Sequence, residues 1–299
     1  MAITVTELVR GFAAEVAGVD CRGRQSPDDV AAIRRAIDAH AVLVFRDQRV
    51  SDEEQLAFTL QFGELEALDA TAGSRFHFRT EAEARRLGRG MGDFSNVDRQ
   101  GRPLATTSRA YMFKLADRLW HSDSSFNAVP ATYSVLSGRA IPSWGGNTEF
   151  ADMRAAWDAL DARTRRQVEG LVCLHSQVHS RAKAGFDELS DAERVAFRPV
   201  RHRLVRTHPS TGRKSLFLSS HAGEIEGMSL PEARMLLLDL TEFATQPRFV
   251  YSHAWRLHDL LMWDNQATMH RGRPFDPAEP RDIRQTRLRC AEGTIEQHA

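Results

Sequence analysis

The rhythm of its apolar runs constrains this chain most. Short β-type stretches recur at irregular spacing with helical stretches inserted, and no regular strand–helix–strand alternation exists. Residues 3–20 alternate around a glycine break, and 41–45 (AVLVF) is a short continuous apolar run of the buried-strand kind. Further strand-like runs are DFSNV from residue 93, RLWHSDSSF, ATYSVLSG and NTEF. A hairpin is expected over 203–219, where two β-type runs flank Pro209-Ser210-Thr211-Gly212. Three closing strands are expected in RFVYSHAW, DLLMWDN and DIRQTRLRC. Capping residues mark the helices. Ser26 precedes Pro27-Asp28-Asp29; Ser51 and Glu54 open a helix ending near Gly63; Ser229 and Glu232 open one reaching about Ala244. Helical stretches are also expected over 152–172 and in part of 180–200. Residues 64–92 read as a long surface loop with room for one helical turn, the kind of loop that often serves as a lid. The class is mainly β with inserted helices, a jelly roll or another double-sheet barrel. Nothing marks a linker or repeat, so residues 1–299 are expected to form one domain.

A chain of 299 residues buries a sizeable core without staples. Basic and acidic residues balance at 40 each, which gives no global pull toward nucleic acid or an acidic membrane. Only Lys114, Lys183 and Lys214 are lysines, so any bound anion meets a planar arginine fork. Cys21, Cys173 and Cys290 are far apart, and no C-x-x-C occurs, so three buried thiols in a reducing cytoplasm are expected. There is no signal-peptide pattern and no apolar run of about 18 residues, so no membrane span is expected.

Most of the 12 histidines have ordinary readings. His40, His77, His202 and His298 sit in polar surroundings and are expected to be solvated; His175, His179, His208, His221, His253 and His258 lie near strand ends and suit structural roles. Only His121-Ser122-Asp123 has an acid two places on. Chance alone gives about 1.6 such tripeptides in this composition, so the setting matters more than the motif. On a strand, residues two apart share a face, so His121 and Asp123 could approach one ion together. His270, after DLLMWDN and before the turn Arg271-Gly272-Arg273-Pro274, is the candidate third ligand. Two imidazoles and a carboxylate suit non-haem Fe(II), and with a water they also suit a zinc hydrolase; the residues alone leave both open. Arg281, entering the last strand, could fork onto the far carboxylate of a chelating dicarboxylate, and Thr148 could donate a second hydrogen bond.

Six segments, LVFRDQ (43–48), FSNV (94–97), LWHSDSSF (119–126), GGNTEFADMRAAWDAL (145–160), LVRTHPSTGRKSLF (204–217) and LLMWDNQATMHRGRPFD (260–276), span most of the chain in one order. Together they resemble the taurine dioxygenase / 2,4-dichlorophenoxyacetate dioxygenase family, nearer its aryloxyalkanoate branch. The resemblance implies a double-stranded β-helix, Fe(II) on His121, Asp123 and His270, and 2-oxoglutarate on Thr148 and Arg281, with O₂ as oxidant. It implies hydroxylation of a small carboxylate-bearing substrate, with aryloxyalkanoate ether cleavage leading and a sulfonate or other small acid as alternative. It also implies homo-oligomers, support of the His270 segment by Trp263 and Asp264, and a substrate-side place for Asn96. One position departs from the family: Gln285 stands where a second arginine, four residues after Arg281, meets the substrate's acidic group. Arg287 shares a strand face with Gln285, and Arg284 does not. The substrate anion is then expected on Gln285 or Arg287, or on a loop arginine (Arg75, Arg79, Arg85 or Arg86), or the substrate is less acidic.

Overall fold

The computed structural model describes residues 3–66 and 86–296. Seven strands form the larger sheet. Leu260–Asp264 runs antiparallel between Val42–Phe45 and Ala131–Ala140. Asp282–Arg289 pairs with the far side of Ala131–Ala140, and Gly92–Asp93 closes that edge. Thr4–Val9 and Ala13–Ala17 extend the other edge. A three-stranded sheet has Thr148–Asp152 at its centre, antiparallel to both Val250–His253 and Thr268–Gly272.

Strand alternation sorts the side chains into layers. Leu43, Phe45, Leu260 and Met262 face a core closed by the helices Pro27–His40 and Asp52–Leu60. Val42, Val44, Leu261 and Trp263 face the other way, toward Phe150 of the smaller sheet. Ala151 and Met269, next along their strands, turn outward to a third core under the helices Met153–Ala159 and Leu230–Ala244. His270 therefore points inward, between the sheets. The helix caps match the sequence: Ser26 accepts from Asp29 N, and Ser51 and Ser229 form capping boxes with Glu54 and Glu232. The hairpin pairs Val205–Thr207 with Lys214–Leu216. Cys21, Cys173 and Cys290 are buried and unpaired. No helix among the described residues is long and apolar enough to cross a membrane.

Several expectations need correction. His270, expected just before a turn at 271–274, lies in the middle of a fourth closing strand, Thr268–Gly272, which takes in the first two residues of that turn. A tight reversal separates it from Leu260–Asp264, with Asp264 Oδ1 accepting from Gln266 N at 2.7 Å and Thr268 Oγ1 donating to Asp264 O at 2.8 Å. His121 and Asp123 do not share a strand: His121 forms a single β-bridge, and the chain then turns through Ser124 at φ 55°. The 94–97 segment is not a strand beyond Gly92–Asp93. Residues 109–118 form an unforeseen helix, Arg109–Lys114, continued as a 3₁₀ turn, Leu115–Arg118. His202 is not solvated but buried, with its ring nitrogens 2.8 Å from Thr294 Oγ1 and 2.9 Å from Asn127 O. The described ends of the expected surface loop are also partly inside: Glu66, Leu87 and Met91 are buried. Arg75, Arg79, Arg85, His77 and His298 lie outside the described residues.

Candidate metal centre

The centre begins with a backbone pairing. His121 N donates to His270 O at 2.9 Å and His270 N to His121 O at 2.8 Å, so the two residues face each other as an antiparallel pair. Their ring centroids are 4.2 Å apart. Ser122 Oγ pins the intervening residue by donating to Thr268 O and Asn265 O at 2.9 and 3.0 Å. The turn then swings Asp123 in beside the imidazoles. One ligand atom from each of His121, Asp123 and His270 falls within 4.8 Å of the others, and all three residues are buried.

Each candidate ligand is oriented. Leu119 O lies 2.8 Å from His121 Nδ1; a proton held there leaves Nε2 free to ligate. Trp263 and Phe150 flank the His270 ring at 4.8 and 6.0 Å, centroid to centroid. Burial pushes His270 down to about 3, so it is neutral at physiological pH and can ligate; its Nδ1 has no hydrogen-bond partner among the described residues. Asp123 Oδ2 accepts from Ser134 Oγ at 2.6 Å and Gln285 Nε2 at 2.7 Å, whereas Oδ1 stands 3.7 Å from His270 Nε2. Oδ1 is thus the oxygen left for an ion. Burial opposes the Asp123 charge, but Arg287 and the Ser134 hydrogen bond help to outweigh it, and the carboxyl is held below its usual range. Asn265 ties the shell together: its Oδ1 accepts from Asp123 N and Trp263 Nε1, and its Nδ2 donates to Ser134 Oγ. Asp264 holds His208 Nε2 at 2.7 Å.

Two cavities meet at His121. One is lined by Thr148, Leu136, His270, Arg281 and Ile283. Arg281 is 9% exposed and has no carboxylate partner among the described residues; its Nη1 and Nη2 reach only Phe94 O at 3.1 Å and Gly146 O at 3.3 Å. Burial, then the nearby Arg118, pushes it down to about 10, so it remains charged at neutral pH. Thr148 Oγ1 accepts from Trp255 Nε1 at 3.0 Å, which leaves its own proton for another acceptor. Gly145 and Gly146, at φ 70° and 71°, turn the chain tightly here; a Cβ on Gly145 would meet Pro274 O at 2.3 Å. The other cavity is lined by Asp123, Phe113, Phe126, Gln177, Arg181 and His221.

The residues expected to hold the substrate are largely occupied. Gln285 spends its amide N–H on Asp123. Arg287 pairs with Glu66 Oε2 at 3.0 Å and stands 3.8 Å from Asp123 Oδ1. Asn96 donates to Pro277 O and Glu279 O and accepts from Arg281 N, so it fixes the arginine's backbone instead of offering an amide to the cavity. Arg86 is bound to Asp93 and Asp282. Ser134, Glu66, Gln177, Arg181 and Trp255 lie outside the six family segments; Asn265 sits inside one of them, in WDN.

The fold and site define a class: a β-sheet protein able to hold one metal ion on two imidazoles and a carboxylate, beside a buried guanidinium with no carboxylate partner among the described residues. The chain belongs to the taurine catabolism dioxygenase TauD, TfdA family, whose model matches residues 4–287. It is 42% identical over 284 residues to an alpha-ketoglutarate-dependent 2,4-dichlorophenoxyacetate dioxygenase from Cupriavidus pinatubonensis, covering 95% of this chain and 96% of that one. It is 36% identical over 257 residues to an (S)-phenoxypropionate/alpha-ketoglutarate-dioxygenase from Sphingobium herbicidovorans, covering 83% and 82%. The crystal structure of AAD-2 in complex with Mn(II) and N-oxalylglycine superposes with a TM-score of 0.93 at 50% identity, covering 98% of this chain and all of that one. The protein is accordingly an Fe(II)- and 2-oxoglutarate-dependent dioxygenase.

Proposed function

We propose that this dioxygenase hydroxylates a small carboxylic acid with an apolar, aryloxyalkanoate-like body, on a jelly-roll domain spanning residues 1–299. His121, Asp123 and His270 hold Fe(II), and Arg281 and Thr148 hold 2-oxoglutarate. The observation that carries this is Arg281: a buried cation with no carboxylate partner among the described residues is costly to fold around, and a dicarboxylate in the cavity it lines beside His270 supplies that charge. When bound, iron with 2-oxoglutarate and O₂ supplies the oxidation, yielding succinate, CO₂ and a hydroxylated substrate carbon. The chain's own residues do the positioning. Gln285 and Ser134 fix Asp123 through Oδ2, leaving Oδ1 to the metal. Trp255 turns the Thr148 hydroxyl outward, and Asn96 and the Gly145-Gly146 turn set Arg281 in place. Phe94, Phe113 and Phe126 keep the second cavity apolar. If the hydroxylated carbon bears an ether oxygen, the product collapses to a phenol and a carbonyl acid. A zinc hydrolase on the same ligands would leave Arg281 without a task.

The protein is read as a cytoplasmic homo-oligomer that acts on a small molecule and binds neither nucleic acid nor membrane. The test of substrate class is succinate release from 2-oxoglutarate in the presence of aryloxyalkanoates, aliphatic sulfonates and simple carboxylates. Aryloxyalkanoates are expected to give the largest kcat/KM. A sulfonate turning over faster would move the protein to the other branch of the family.

A further inference from the structure

This inference rests on the dioxygenase reading and names the residues that take the substrate's anion. Gln285 is committed to Asp123, Arg287 to Glu66, and Arg86 to Asp93 and Asp282. Lys114 Nζ donates to Ser95 O at 2.6 Å. Two other donors in the wall of the Asp123 cavity are not committed in this way. Gln177 and Arg181 lie one turn apart on the helix Gln177–Lys183, so both side chains leave the same face. Gln177 is 3% exposed, lines the cavity, and makes no side-chain hydrogen bond among the described residues. Arg181 is 6% exposed and lies over the Phe113 ring, its Cζ 4.1 Å from the centroid. Its nearest polar contacts are loose: Ser180 Oγ at 3.4 Å and Asp117 Oδ1 at 3.6 Å, the latter well beyond the ~2.8 Å of a charge-assisted bond. Its Nε has no partner among the described residues.

Arg154 shows how this fold satisfies a buried guanidinium that has only a structural task. It is 2% exposed, forks onto Asp152 at 3.1 and 3.2 Å, and donates to the carbonyls of Gly11, Asp38 and Ala39. Arg181 has no such set. A desolvated fork and a desolvated amide, side by side, cost stability unless an acceptor completes them. Leu87, Met91, Phe94, Phe113 and Phe126 give the wall its apolar part, and Asp93, Lys114, His221 and the Asp123 site its polar part.

We propose that Gln177 and Arg181 form the receptor for the substrate's carboxylate, replacing the arginine that the family pattern places at position 285. The carboxylate meets the guanidinium fork and the Gln177 amide, the apolar body lies along the phenylalanines, and the reacting carbon faces Asp123 and His121. Asp117 stands beside the receptor as a like charge to the incoming acid and weakens its hold.

The test uses the full-length protein with phenoxyacetate and its neutral isostere phenoxyacetamide as probes. Calorimetry gives binding in the presence of 2-oxoglutarate under anaerobic conditions, and succinate release gives turnover. Arg181→Met should weaken phenoxyacetate binding about 100-fold, change phenoxyacetamide turnover by less than about threefold, and leave 2-oxoglutarate affinity unchanged. Gln177→Leu should weaken the acid by about tenfold. Asp117→Asn should tighten it several-fold, whereas a purely structural Asp117–Arg181 tie requires the opposite sign. Retained acid binding in Arg181→Met, or weakened acid binding in Asp117→Asn, would overturn the receptor. If Arg181→Met does not fold, wild-type protein and Asp117→Asn still decide: equal wild-type affinity for acid and amide overturns the proposal. Tight acid binding that follows these rules in a protein releasing no succinate would count against the dioxygenase reading and leave the receptor standing.

Discussion

Asp123 is one carboxylate with its two oxygens given different work. Ser134 and Gln285 hold Oδ2, and Oδ1 faces His270. Gln285→Leu removes one of those two donors without changing the ligand set. It should weaken Fe(II) binding about 10- to 100-fold, the usual effect of losing a group that orients a metal ligand. Metal titration monitored by protein stability reads this directly, and unchanged affinity would remove Gln285 from the support of the site. Arg281→Lys keeps the charge but loses the fork, so 2-oxoglutarate affinity should fall by about 100-fold with the metal still bound. The sequence exposed Gln285 as a departure from the family pattern but not its task. A side chain's partner lies across the fold, and Asp123 is reached only once the 282–289 strand is paired with 131–140. The candidate ligands His121, Asp123 and His270 could be picked out because their neighbours in sequence match a family, and the fold brings them together. Gln177 and Arg181 were not, because a buried polar pair on a short helix reads in sequence like any solvated helix face.

At the scale of elements, one bridge and one turn build the centre. The His121–His270 bridge needs the 268–272 strand, which the sequence does not mark and whose end overlaps the turn expected at 271–274. Its polar residues hid it: Asn265, Gln266 and Thr268 are buried and hydrogen-bonded, so hydropathy gave no strand signal there. The caps at Ser26, Ser51 and Ser229, by contrast, are local chemistry and were legible to the residue. Ser122→Ala should leave the Thr268 and Asn265 carbonyls short of a donor. A cost of about 1–2 kcal/mol in unfolding free energy is expected, together with weaker metal binding; chemical denaturation of the metal-free protein separates the two effects. The Gly145-Gly146 turn acts on the co-substrate. Gly145→Ala adds a Cβ into Pro274 O at a positive φ, so the turn carrying Thr148 and bracing Arg281 must shift. Its KM for 2-oxoglutarate should rise at least tenfold with little change in Fe(II) affinity. A change confined to metal binding would place the turn's influence elsewhere.

For the whole molecule, the buried histidines set the response to acid. Burial, the largest cause in each case, pushes His202 down to about 4 and holds His175 and His221 well below their usual 6.5. The unfolded chain takes up these protons near pH 6.5 while the folded protein does not, so stability is full above about 6.5 and falls as the pH drops toward 4. His202 alone accounts for up to about 3 kcal/mol across that window. Denaturant midpoints should therefore be clearly lower at pH 5 than at pH 7.5, and equal midpoints would mean these rings are not held neutral inside. The central claim is that His121, Asp123 and His270 hold one Fe(II) on which 2-oxoglutarate, clamped by Arg281, chelates. Anaerobic addition of Fe(II) and then 2-oxoglutarate to the purified protein tests it most directly. A visible metal-to-ligand charge-transfer band should grow to one equivalent of each, vanish in His270→Ala, and require far more 2-oxoglutarate in Arg281→Ala. No band in the wild-type protein, or an undiminished band in His270→Ala, would contradict the account.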